Sequence, residues 1–166
     1  MMPDTRTHIY ALAIGSNRPL SARRTPARLL DEATTRIGRI ARVIGVAPII
    51  ETAPIGPSAR RFANGALLVE SAFAPPAMLA ALQDIERDLG RRRFRRWGAR
   101  SIDIDIILWS GGSFNSGALT IPHREFRHRA FVLTPLLAIA PGWRDPCSGL
   151  TIRHLAFRLA KAASRG

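Results

Sequence analysis

Residues 91–109 read RRRFRRWGARSIDIDIILW, and the two halves of this stretch obey different rules. The first half is an arginine cluster around a single tryptophan, Trp97, and reads as a loop. In the second half Ile102, Ile104 and Ile106 alternate with Asp103 and Asp105. Successive side chains of a strand point to opposite faces, so the isoleucines predict a core face and both carboxylates share the other one. Residues i and i+2 lie about 6.5–7 Å apart along a strand, close enough for two carboxylates to share divalent cations. Guanidinium groups beside such a pair suit a polyphosphate.

Working outward, residues 75–90 predict the helix that feeds this stretch. Pro75 and Pro76 suit its first turn, Met78, Leu79, Leu82, Ile85 and Leu89 form an apolar stripe, and Gly90 stands where a C-cap glycine belongs. Gln83 and Glu86 are three apart, on one helix face, and Glu86 comes close to the arginine loop. Nearer the N-terminus, His8–Ile14 predicts a buried strand closed by a Gly15-Ser16-Asn17 turn. Leu29, Leu30, Ala33 and Ile37 recur at helical spacing over 26–37, with Gly38 as the stop. Two β-prone segments follow, about 40–50 and 66–72, separated by the Pro- and Gly-rich loop 51–57. Beyond the aspartates come a Gly/Ser-rich turn (110–117) and a brief extended piece (119–123). Segment 129–141 mixes short helix with apolar packing. A terminal helix (150–162) has Thr151 as its N-cap and Leu155, Leu159 and Ala162 on its apolar side.

The order strand, helix, strand, strand, helix, strand predicts an α+β fold. Its form is the ferredoxin-like βαββαβ arrangement, an antiparallel sheet with helices on one face, extended by short C-terminal helices. With 166 residues the chain is expected to form one domain, its core spanning about 8–162. The lone Cys147 forms no internal disulfide, and neither a signal pattern nor a membrane-length apolar run occurs, so a cytoplasmic protein is expected. The net charge of +13 favours anionic partners without choosing among them. The Arg23/Arg24/Arg28 cluster reads as solvated basic surface.

An isolated Asp-x-Asp is most often a solvated strand face. Here the flanking isoleucines fix the register, no lysine stands nearby, and Arg96 and Arg100 lie at the same end of the strand. Oxygen ligands without His or Cys companions favour Mg²⁺, which commonly arrives with phosphate oxygens. Neither of the common glycine-rich phosphate loops is present. Phosphoryl transfer would therefore rest on metal and arginine. Trp97 reads either as a structural anchor for its loop or as part of a lid over a bound ring. His123, with Arg129 six residues on, is either structural or a phosphate contact. Phe62 and Phe131, judged singly, read as core.

Taken in order, GSN (15–17), ETAPIGP (51–57), FANG (62–65), LQDIERDLGRRR (82–93), RWGARSIDIDIIL (96–108), TIPH (120–123) and RAFVLTPLLAIAP (129–141) closely resemble one family. It is the 6-hydroxymethyl-7,8-dihydropterin pyrophosphokinases, a resemblance running from about residue 9 to 158. It implies a ferredoxin-like fold and transfer of diphosphate from ATP to the pterin hydroxymethyl group, with release of AMP, in folate biosynthesis. Matched positions imply Asp103 and Asp105 as ligands of two Mg²⁺ ions, and Arg91 and Arg100 as catalytic loop arginines. On the nucleotide side they imply Gln83, Glu86, Ile106, Thr120, His123 and Arg129. Around the pterin they imply Thr52, Ile55, Phe62, Asn64, Trp97 and Phe131, the two phenylalanines sandwiching the flat ring. Ile50, Ala53, Ala99 and Arg124 depart from the family's usual residues. The expected partners are ATP and the pterin, with no nucleic acid and no membrane, and a monomer is expected. An RNA-binding module of the same fold class is the competing reading, and a catalytically dead pterin-binding relative is a third. The paired aspartates discriminate, because they would repel an RNA backbone.

Overall fold

A computed structural model describes residues 6–16, 25–52, 62–90 and 102–166. In chain order the elements are β1 (His8–Ser16), α1 (Pro26–Ile37), β2 (Arg42–Val46), β3 (Ile50–Thr52), β4 (Phe62–Ser71), α2 (Pro75–Gly90) and β5 (Asp103–Trp109). A small hairpin of β6 (Phe114–Asn115) and β7 (Thr120–Ile121), a 3-10 turn at Phe126–His128, α3 (Ala130–Ile139) and α4 (Ile152–Ala163) complete it. The main sheet runs β2-β4-β1-β5, with β3 also pairing β4, and every pairing is antiparallel. This is the ferredoxin-like order, with β4 and β1 in the centre. No described helix is long and apolar enough to cross a membrane.

Helices α1 and α2 form where the apolar period put them. Thr25 caps α1, its hydroxyl accepting from the Arg28 amide at 3.3 Å, and Pro26 opens the first turn. The helix buries Leu29, Leu30, Ala33 and Ile37, and Gly38 is its C-cap. Along α2, Met78, Leu82, Ile85 and Leu89 are buried, and Gly90 is the last helical residue rather than the cap. Both helices cover one sheet face, on Tyr10, Leu12 and Ile14 of β1, Leu67 and Val69 of β4, and Ile104 and Ile106 of β5.

The opposite face differs from the expectation of helices on one side only. There α3 and α4 pack Val132, Leu133, Leu136, Ile152 and Leu155 on Ala11, Ala13, Ala66, Ile107 and Leu108. A β-bulge permits this second core. Ala11 pairs with Leu108 and Leu12 with Ile106, which leaves Ile107 as an extra residue. Ile107 and Leu108 both join the second core as a result. Two boundaries also move. β1 continues through Gly15 and Ser16, expected as a turn, because they pair with Asn64 and Ala63. β4 accordingly begins at Phe62, four residues ahead of the expected start at Ala66. On α4, Ala162 is exposed, since only the first turns of that helix lie on the core.

Candidate active site

The register places the site's floor on the second face, at the end of the sheet that only the start of α3 reaches. Gly15 pairs with Asn64 on one side and Asp103 on the other. Two residues along, Ala13 pairs with Ala66 and Asp105. Asn64, Gly15 and Asp103 thus form one row across three strands, and Ala66, Ala13 and Asp105 the next. The middle strand carries no bulk in either row, so a hollow forms between Asn64 and the two carboxylates. Its size matters, because a Cβ added at Gly15 would come within 3.0 Å of the Asn64 Oδ1.

This hollow is a cavity of about 200 Å³, lined by Ala13, Gly15, Ser16, Phe62, Asn64, Asp103, Asp105 and, from the start of α3, Arg129, Phe131 and Val132. Phe62 and Phe131 are 41% and 50% exposed, so neither is a core residue as single-residue reasoning suggested. The Arg129 guanidinium lies 5.7 Å from the Phe131 ring centroid, within cation–π range.

A second cleft of about 540 Å³ opens on the far side of Asp105 and Arg129, which line both. Leu79, Ile104, Ile106 and Leu119 give it apolar walls, while Thr120, His123, Arg124 and Glu125 give it a polar rim. The His123 amide donates to the Ile107 carbonyl at 3.0 Å, which ties the segment to β5. Its Nδ1 accepts from the Glu125 amide at 3.2 Å, which leaves the proton of a neutral ring on Nε2. Burial pushes the His123 imidazole below its ordinary range. Arg129 acts in the same direction, against the pull of Asp105 and Glu125.

Asp103 is exposed and Asp105 half-buried, on one face as the alternation required. No group of three or more acidic, histidine or cysteine side chains able to hold a metal occurs among the described residues. Two carboxylates alone leave most of an octahedral shell to water and phosphate oxygens, and that donor set fits Mg²⁺ and not a structural zinc.

The expected nucleotide residues divide. Ile106, Thr120, His123 and Arg129 line the second cleft. Gln83 is exposed on α2, and neither Gln83 nor Glu86 is in the cleft lining. Glu86 instead accepts from the Ile104 amide at 2.7 Å and so joins α2 to the aspartate strand. Thr52 ends β3, opposite Phe62. Ile55, Arg91, Trp97 and Arg100 lie outside the described residues. Reasoning from the sequence missed Ala13, Gly15 and Ser16 as floor and Leu79 and Leu119 as wall. The run of small residues at 11, 13 and 15 was the available signal for the floor.

A family model, 7,8-dihydro-6-hydroxymethylpterin-pyrophosphokinase (HPPK), matches residues 11–141. The chain belongs to this family. A Pseudomonas aeruginosa protein named 2-amino-4-hydroxy-6-hydroxymethyldihydropteridine pyrophosphokinase is 36% identical over 156 residues, covering 93% of this chain and 92% of its own length. A Synechocystis protein of the same name is 36% identical over 132 residues, covering 76% of this chain and 68% of its own. Among solved structures, a Plasmodium falciparum HPPK-DHPS superposes with a TM-score of 0.76 at 15% identity. That likeness covers 99% of this chain and 47% of the Plasmodium chain, so this chain spans about half its length, and it bears on the fold alone. The HPPK match takes in both rows of the floor, the aspartate strand, His123, Arg129 and Phe131.

Proposed function

We propose that this chain is a pyrophosphokinase of folate biosynthesis. It transfers the terminal diphosphate of ATP to the hydroxymethyl group of 6-hydroxymethyl-7,8-dihydropterin and releases AMP. The pterin occupies the smaller cavity and ATP the larger cleft. One observation carries this reading: Asp105 and Arg129 line both spaces, so an acidic and a basic group stand where two substrates would meet.

From that junction the roles follow chemically. Asp103 and Asp105 hold two Mg²⁺ ions. When bound, such ions screen the polyphosphate, ease attack at the β-phosphorus and lower the pKa of the attacking hydroxyl. Phe62 and Phe131 flank the flat pterin ring, and the Asn64 amide offers both donor and acceptor to the ring's edge. Arg129 stabilises negative charge as it shifts between the substrates. His123 donates from Nε2 to a phosphate oxygen, while Thr120 and Ile106 bound the nucleotide. Gln83 and Glu86 act from the α2 side, Glu86 by fixing the strand that carries the aspartates. Thr52 and Ile55 are assigned to the pterin side by their matched positions in the family. By their matched positions in the family, Arg91 and Arg100 are assigned to neutralising phosphate and Trp97 to excluding water.

The test is to supply ATP, Mg²⁺ and hydroxymethyl-dihydropterin and to identify the nucleotide product. AMP supports diphosphoryl transfer. ADP would make the protein an ordinary kinase, and absence of turnover would return the basic binding module to first place.

A further inference from the structure

None of the roles above uses Arg127 or Asp145, yet the contact between them is built in detail. Asp145 is fully buried, in the turn ahead of α4. Its carboxylate accepts from Arg127 Nε at 2.6 Å and Nη2 at 2.7 Å, from the Ser148 hydroxyl at 2.6 Å and from the Cys147 amide at 3.1 Å. Four donors satisfy a buried carboxylate, and two of them come from one guanidinium in its fork geometry. The same guanidinium lies 4.6 Å from the ring centroid of Phe126, which is itself fully buried in the second core.

Phe126 and Arg127 are neighbours in the 3-10 turn between His123 and Arg129. A single apolar anchor leaves a short turn free to rotate about its own axis. A second, bidentate anchor on the adjacent residue removes that freedom. The consequences reach both ends of the turn. The Phe126 amide donates to the His123 carbonyl at 3.4 Å, and the Arg129 amide donates to the Phe126 carbonyl at 3.3 Å. The Arg129 carbonyl then receives the Val132 and Leu133 amides at 3.0 Å as α3 starts. The orientation of the turn is therefore passed to the backbone of both residues, whose side chains line the larger cleft.

We infer that Arg127 and Asp145 are positioning residues for the nucleotide site. They orient His123 and Arg129 toward the phosphates without touching the substrate. The inference rests on the reading of the larger cleft as the ATP side. A misplacement of about 1 Å in such groups is enough to weaken substrate engagement measurably.

Asp145→Asn keeps the shape and removes the charge. It is expected to raise KM for ATP about 5–10-fold, with the pterin KM changing less than about 2-fold. Arg127→Lys, which retains the charge and loses the fork, is expected to fall between wild type and Asp145→Asn. Circular dichroism confirms that each variant is folded at the assay temperature, and Arg127→Lys carries the test alone if Asp145→Asn is not. Unchanged ATP KM with a lower melting temperature overturns the proposal, because the pair is then merely structural. Parallel rises in both KM values overturn it as well. His123→Ala and Arg129→Ala separate the two levels of inference. If they leave ATP KM unchanged, the nucleotide-side reading fails. If they raise it and Asp145→Asn does not, only the positioning role fails.

Discussion

The two faces of the central sheet are built from alternate residues of the same strands, yet they have opposite characters. Toward α1 and α2, β1 presents Tyr10, Leu12 and Ile14, and the space is filled by aliphatic side chains from α1, α2, β4, β5 and β7. Toward α3 and α4 it presents Ala11, Ala13 and Gly15, and helices cover only part of that face. The filled face supplies much of the burial that stabilises the fold. On the other face the small residues leave room, and the uncovered end becomes a cavity edged by Asn64, Asp103 and Asp105. One periodicity of two thus separates stability from chemistry within single strands.

The sharpest way to break this comparison is to move the two functions onto the wrong faces. Asp105→Ala is expected to lower kcat by about 10²–10³-fold, with pterin affinity and melting temperature nearly unchanged. AMP-release kinetics beside a pterin-binding titration would measure it, and equal losses in turnover and binding would contradict the division of labour. Leu67→Ala, one residue from Ala66 on the same strand, should do the reverse. It empties a fully buried position and is expected to cost about 2–5 kcal/mol of stability in denaturant unfolding. Turnover per folded molecule should stay close to wild type.

Acid offers a finer test, of the helical cover on the second face. Burial alone would raise the Asp145 carboxyl, but hydrogen bonds from Arg127, Ser148 and the Cys147 amide outweigh it and hold the pKa at about 2. A folded-state pKa below the unfolded one stabilises the native protein above the unfolded value. That contribution is lost as pH falls from about 4 through about 2, and amounts to about 2 kcal/mol. Stability measured across this window should fall more steeply for wild type than for Asp145→Asn. The smallest effect concerns one methyl group. Gly15→Ala would press on the Asn64 Oδ1 and should raise the pterin KM about 3–10-fold without altering the ATP KM. A change in the ATP KM instead would mean that the small floor does not belong to the pterin side.

Much of this organisation was legible in the sequence, and where it was not the reasons are physical. The limits of α1 followed from Pro26, the apolar period and Gly38, because local chemistry and tertiary packing agree there. The aspartate strand was equally readable, since isoleucines fix its register. The start of β4 was not. Ala-Asn-Gly has poor strand propensity, and only pairing with Gly15 and Ser16 on one side and with β3 on the other makes the segment extended. The covering of the second face was hidden for a related reason. It depends on a bulge at Ile107, and nothing in the run Ile106-Ile107-Leu108 announces which residue is the extra one. Asp103, Asp105, His123 and Arg129 were identifiable as types in a pattern. That Asp105 and Arg129 belong to two cavities at once is a property of the fold alone.

The Glu86–Ile104 hydrogen bond carries a mechanical consequence. Ile104 stands between the two aspartates, and its amide is gripped by a side chain from α2. Any sliding or rotation of that helix therefore acts as a lever on the spacing of both carboxylates relative to β1. A helix whose apolar stripe looks like ordinary core packing becomes a calibrating strut, so a substitution buried along α2 can detune the carboxylates on the opposite face of β5.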